Sequence, residues 1–423
     1  MPGIADAKQL PADISAVAPV LEMVHVRDSL RLISCWLSLT VLVSAAETVT
    51  TIDTKGRTME SVSLTEWTAD RIVVGESDVI AIDELLTMNF NRPSASPASG
   101  DSLIILANGD RMVARPVGVF DDELTATWQR IASRQPVKLP LETIASIIFE
   151  LPTAADDRRR LFAELQTLPA GNDVVLLVNG DRVQGEFERL DGAFVQLKSA
   201  TGLLKLDRAR VQAIRMNPEL TSTPRIEGRR LSLSLRDGSR LTARSVVLTD
   251  KGMKCETFTK QEFLLPVAEC VSCNVYGVKV IPLADRDEAQ YTFVPYLSHK
   301  WSLVRNANVL RGPLALRGVE SGTGLGMHSR SAVTFDVQPN DREFRATVGI
   351  DDCAAGNGSV RFVVEVDGKR IWESPELTGK SAPVVVPAVK LDGGKKLTLI
   401  VEFGALGDVS DYADWCDAII VQK

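Results

Sequence analysis

The sequence predicts a mainly β protein in which repeated small β-barrel-like units lead into a β-sandwich. Three observations carry that reading. Alternating apolar runs recur along residues 47–277 and break at Asn-Gly or Asp-Gly turns. A single stretch within that span has apolar residues at helical spacing instead. After Pro282, closely spaced alternating segments meet glycine-rich turns. Asn-Gly and Asp-Gly accept the positive φ of a two-residue hairpin, and alternation supplies one buried face per strand.

The chain begins with an export pattern. Arg27 and Arg31 precede an apolar run from Leu32 to Val43, followed by Ser44, Ala45 and Ala46. That order is expected of a secretory signal at residues 23–46. The run falls short of the roughly 20 residues a membrane-spanning helix needs. An uncleaved anchor is the alternative. Residues 1–22 fit no signal and read as an extension ahead of a start at Met23. Leu32-Ile33-Ser34-Cys35 imitates a lipoprotein cleavage box, but the apolar stretch follows Cys35 rather than ending there. The expected location is secreted, periplasmic or cell-surface, with no transmembrane segment beyond the signal.

Four repeats follow, expected at residues 47–95, 100–150, 171–218 and 228–277. Their turns are Lys55-Gly56-Arg57, Asn108-Gly109-Asp110, Asn179-Gly180-Asp181 and Asp237-Gly238-Ser239. Each repeat ends in a short closing strand, near Leu85, Ile144–Ile147, Val211–Ile214 and Val271. The units loosely resemble SH3-like or Sm-like barrels, whose fold does not define a function. A spacer or assembly scaffold is the preferred role. Leu161, Leu165 and Leu168 place one helix in the linker at 153–170, ended by Pro169-Ala-Gly171. Its Arg158–Arg160 run reads as a solvated helix end.

Composition narrows the function. With 48 Lys+Arg against 55 Asp+Glu, the chain carries a net charge of −7. Phosphate affinity comes mainly from cationic side chains displacing counterions, so nucleic acid is not an expected partner. The histidines are His25, His299 and His328. Few imidazole-based schemes for general-base catalysis or zinc binding are therefore open. Gly322-Thr-Gly324-Leu-Gly326 lacks the strand–turn–helix context of a phosphate loop and reads as turn glycines.

Residues 288–423 contain ordered segments that resemble one family. They are Tyr296-Leu-Ser298, Gly312-Pro-Leu314, Gly324-Leu-Gly-Met-His328-Ser329 and Phe344-Arg-Ala-Thr-Val-Gly349-Ile-Asp351-Asp352. Gly358-Ser-Val-Arg-Phe362 and Asp411-Tyr-Ala-Asp-Trp-Cys-Asp-Ala418 complete the set. Together they are similar to the NPCBM family of carbohydrate-binding modules. The resemblance implies a galactose-binding-like jelly roll, an exported context and a glycan or polysaccharide partner. It covers about a third of the chain. Tyr412 stands where the family usually has histidine, and Cys353 and Cys416 stand at usually small positions. Those two cysteines lie in family segments able to approach each other, so a Cys353–Cys416 disulfide is expected.

A sugar site on such a sandwich needs an aromatic face and a few polar groups. The candidates are Trp301, His328, Asp351, Asp352, Tyr412, Asp414 and Trp415, with Trp372 and Asp417 as further possibilities. Trp415 reads first as a core tryptophan, and His328 as a loop-bonding residue about as readily as a ligand contact. Asp351 and Asp352 can bind sugar hydroxyls, hold calcium or cap a turn, the last being the preferred reading. No other cofactor or metal is expected. Adjacent carboxylates on a strand point to opposite faces and make a poor glycosidase pair. Cys255 has a candidate disulfide partner in Cys270 or Cys273. The expectation is a non-catalytic exported glycan binder. Its alternatives are a cell-surface assembly protein contacting other proteins and a carbohydrate-active enzyme.

Overall fold

The computed structural model describes residues 47–423 except 94, 132–135, 224–225 and 297. The expected signal and Cys35 lie outside the described residues. Between Glu47 and Tyr276 the strands come in four sets, each opening with a hairpin. At the second hairpin Gly109 sits at φ 87° and donates to the Leu106 carbonyl, while Leu106 donates to Asp110. Gly180 repeats this at φ 88° with Leu177 and Asp181. A side chain would strain either turn.

Each set ends in a 3₁₀ turn and a closing strand that returns to its first strand. These turns are Ile82–Glu84, Leu141–Thr143, Arg208–Arg210 and Val267–Glu269. The closing pairs include Ile147 with Ile104, Ile214 with Val175 and Cys273 with Leu233. The closing strands also pair with one another. Ile147 faces Ile214 across the second and third sets, and Met88 faces Cys273 across the first and fourth. A continuous core runs through all four sets.

Among the described residues, α1 (Ala155–Thr167) is the one α-helix. Leu161, Leu165 and Leu168 are buried against Leu103, Ile148, Val174 and Leu176. Leu168 is already extended, as a residue before proline prefers to be. No helix among the described residues is long and apolar enough to cross a membrane.

Two antiparallel sheets form the C-terminal sandwich. The front sheet runs Val304–Arg305, Gly324–His328, Tyr412–Gln422, Asp341–Ile350, Val384–Lys390. The back sheet runs Gln290–Phe293, Ser331–Asp336, Lys396–Phe403, Ser359–Val366, Lys369–Glu373. Strand Val280–Pro282 also joins the front sheet, pairing with Tyr412–Gln422, so the sheet draws on chain upstream of residue 288.

Below the sandwich core, fully buried Asp341 receives two bonds from Arg286, at 2.6 and 2.7 Å. Gln422 donates to the same carboxylate. The Arg286 pair and these hydrogen bonds hold it below the usual carboxylate range against the cost of burial. Removing one partner of a buried pair strands the other charge. Arg286→Met is therefore expected to destabilise the protein by about 3–5 kcal/mol, read as a lowered urea midpoint.

Candidate functional site

The front sheet carries most of the predicted residues, and strand alternation sorts them. Along Tyr412–Gln422, Ala413 and Trp415 face the sandwich core. Tyr412, Asp414 and Cys416 therefore face outward. Trp415 is fully buried, edge-on to Phe362 at 5.2 Å. With no exposed ring it cannot serve as a stacking platform. Trp372 lies on the back sheet and packs partly against the same core.

The outward face is covered by the chain's own backbone. Gly326, opposite Asp414, has the Ala307 carbonyl oxygen 2.4 Å from where a Cβ would stand. Gly349 leaves room for Leu316 in the same way. Gly324 and Gly326 are thus strand residues that admit a close backbone approach, not turn glycines.

Under this loop Asp351 is spent on local structure. Its carboxylate accepts from Cys353 N, Asn308 Nδ2 and Ala315 N at 2.8–3.0 Å. Asp352 accepts from Arg317 N and Gly318 N. Asp414 is fully buried, and burial together with the nearby Asp351 charge raises its pKa well above the carboxylate range. Buried Asp351 and Asp414 offer a sugar no open hydrogen-bonding edge, while exposed Asp352 has each oxygen engaged by a backbone N–H. Asp417 accepts from Ser321 at 2.9 Å, on the side where Arg240 approaches from the barrels.

The disulfide expected between Cys353 and Cys416 does not form; both thiols are free. Cys416 stands opposite Thr347, whereas Cys353 lies beyond Ile350 on the following turn. Cys416 packs with Leu314 and Leu316, whereas Cys353 is on the side that faces α1. Cys255, Cys270 and Cys273 are also free, buried in the barrel core. Burial pushes Cys255 up to about 12.

At one end of the front sheet, aromatic rings gather. Trp301 lies parallel to His328, with centroids 4.5 Å apart and 3° between planes. Tyr412 meets Trp301 at 5.9 Å, and His299 meets it edge-on at 4.8 Å. Tyr412 and His328 are cross-strand neighbours, which explains their meeting. His328 is 2% exposed and its Nδ1–H donates to the Ser329 carbonyl. Burial lowers its pKa and favours the neutral ring. It is a support beneath Trp301 rather than a ligand contact. Trp301 and Tyr412 remain half-buried, while His299 and Tyr296 are exposed.

His299, Tyr296 and Asp411 were not among the predicted site residues. The first two share a six-residue stretch with Trp301, a signal that could have found them. Asp411 accepts from Ser329 Oγ and from Ser359 N, tying the loops behind the aromatic plate. Burial raises its pKa to about 6.

The C-terminal part is thus a two-sheet antiparallel β-sandwich with a partly open aromatic plate at one end of its front sheet. Residues 292–421 match the NPCBM/NEW2 domain, and this part of the chain is a domain of that family. A protein named "Putative endo-alpha-N-acetylgalactosaminidase" from Renibacterium salmoninarum is 29% identical over 34% of the chain. Alpha-1,3-galactosidase B of Akkermansia muciniphila is 32% identical over 25%. The matches span only 10% and 13% of those two proteins. The CBM51 module of a Clostridium perfringens GH95 protein, solved with methyl-galactose, is 22% identical. It covers 33% of this chain and 99% of its own, with a TM-score of 0.31.

Two outcomes are expected from this geometry. Gly326→Val would drive a side chain into the Ala307–Asn308 backbone and cost about 1–3 kcal/mol, measurable as a lowered melting temperature. Folding favours protonated Asp411, so its contribution is complete below pH 4 and lost as pH rises through about 6. The permanently neutral Asp411→Asn should therefore gain on wild type by on the order of 2 kcal/mol between pH 4 and pH 7.5. Parallel pH dependences in urea unfolding would refute it.

Proposed function

We propose that the chain is an exported, non-catalytic glycan binder whose sandwich reads sugar through the Trp301 plate. The observation that carries this is the half-exposed Trp301 ring, held flat by buried His328 and bordered by Tyr412 and His299. A rigid aromatic plate presents its face to the C–H groups of a sugar ring at little entropic cost. The NPCBM/NEW2 match supports the same reading.

Tyr412 borders the plate and offers a phenolic hydroxyl where an imidazole is usual in the family, so it exchanges one hydrogen-bonding group for another. The two curated relatives carry glycosidase names, but the similarity reaches a small part of each. Asp351 and Asp414 crowd together under the 307–316 loop, and such a pair cannot flank a glycosidic bond. The export proposal rests on residues 23–46; the free cysteines lend it no support.

Trp301→Ala is expected to reduce binding to the glycans selected on an array by ~10-fold or more, with the melting temperature little changed. Array silence from the folded full chain would sink the glycan reading. It would leave the exposed Tyr296, Leu406 and Val409 beside the plate as a surface for protein assembly.

A further inference from the structure

Beside the aromatic plate, a cleft of about 770 Å³ opens between α1 and the sandwich. Its volume lies within the range of small-ligand sites. One wall comes from α1, through Arg158, Arg159 and Phe162; the other comes from Val309, Leu310 and Pro313. The helix turns Leu161, Leu165 and Leu168 into the barrel core, so its arginine-bearing face is left to the cleft.

The charges around this apolar floor are unbalanced. Arg158, Arg159, Arg160 and Arg311 line the cleft against Asp156, Asp351 and Asp352. Asp351 and Asp352 direct their oxygens to backbone N–H groups, as described above. Asp156 pairs with Arg159, and Asp157 holds Arg160 at 3.5 Å. Arg158 donates to the Pro97 and Thr153 carbonyls, which bring no negative charge. Among the described residues no carboxylate partners the exposed Arg311 guanidinium. Asp351, which lines the cleft, donates its backbone N–H to the Tyr412 carbonyl at 2.7 Å. The cleft therefore borders the plate rather than lying on a separate surface.

We propose that this cleft is a subsite for an acidic sugar unit, a hexuronate or a sulfated hexose, belonging to the glycan whose neighbouring unit lies on Trp301. The inference rests on the glycan reading of the plate. A guanidinium meets a carboxylate or sulfate through two parallel N–H bonds, and Arg311 has its donors free for that purpose. Phe162, Val309 and Pro313 supply apolar surface for the ring that carries the anion. Among the described residues, Arg158 and Arg311 are the lining guanidiniums without a carboxylate partner, and so small a number suits one acidic group better than a polyanion. The helix belongs to the chain between the barrel sets, so the barrels would contribute to sugar selection as well as support.

The test uses the full chain and matched disaccharides. One member ends in a neutral hexose; its counterparts end in the corresponding hexuronate or carry a sulfate on that hexose. Titration calorimetry of wild type, Arg159→Gln, Arg311→Gln and Trp301→Ala is compared at 50 and 500 mM NaCl. The subsite predicts that an acidic member binds ~10-fold tighter than its neutral counterpart. Salt should shrink that preference, and either arginine variant should bring the pair towards parity. Equal affinities for neutral and acidic members, unaltered by salt and by both arginine variants, would overturn the subsite and leave the glycan reading standing. Binding of every member that survives Trp301→Ala would overturn the plate reading instead. Absence of binding by all members, and by a neutral and acidic glycan array, would overturn both.

Discussion

Backbone resting directly on backbone is the constraint from which the sandwich site follows. The segment around Ala307 and Asn308 lies on the strand Gly324–His328 because Gly326 has no Cβ to hold it off. Once seated, Asn308 reaches Asp351 and the Pro313 carbonyl, while Ala315 donates to the same aspartate. That arrangement seals the middle of the outward face. It also leaves the Tyr412 end uncovered by this loop, where the rings of Trp301, His328 and Tyr412 assemble. One missing methyl group thus divides a sheet face into a sealed region and a candidate binding region.

The barrels and the sandwich lie within one compact unit, Ala45–Lys423. Val280–Pro282 continues the front sheet, and Lys279 beside it pairs with Glu84 of the first barrel set. Arg111 pairs with Glu320, both side chains being mostly buried. Arg240 donates to the carbonyl of Ser321. Such desolvated ionic contacts add little net stability, but a wrong orientation would leave charges stranded, so they favour one arrangement of the parts. The same joining brings α1 alongside the sandwich loops.

Much of the fold was legible because its determinants are local. The hairpins at Gly109 and Gly180, the face of α1 and the alternation of the sandwich strands each depend on residues within a few positions. The site was legible only in part. Trp301 and Tyr412 stay at the plate, while Trp415, in the same motif as Tyr412, turns inward because strand neighbours alternate. Asp351 caps its own turn through Cys353 N, as its local sequence suggested, but its other donors and both donors to Asp352 lie more than thirty residues away. His299 was visible as a rare residue two positions from Trp301, but the edge-on meeting of the two rings depends on how the loop folds.

By itself, then, the sequence determined a mainly β chain, its turn positions, one linking helix and a C-terminal segment similar to a carbohydrate-binding family. Period and turn chemistry are short-range properties, and they survive without knowledge of the rest of the chain. Only the tertiary structure decided which side chains are open to solvent. It left the Cys353 and Cys416 thiols free, buried His328 under Trp301 and set α1 beside the sandwich. Exposure and meeting distance depend on what covers each face, and the covering segments come from distant parts of the chain.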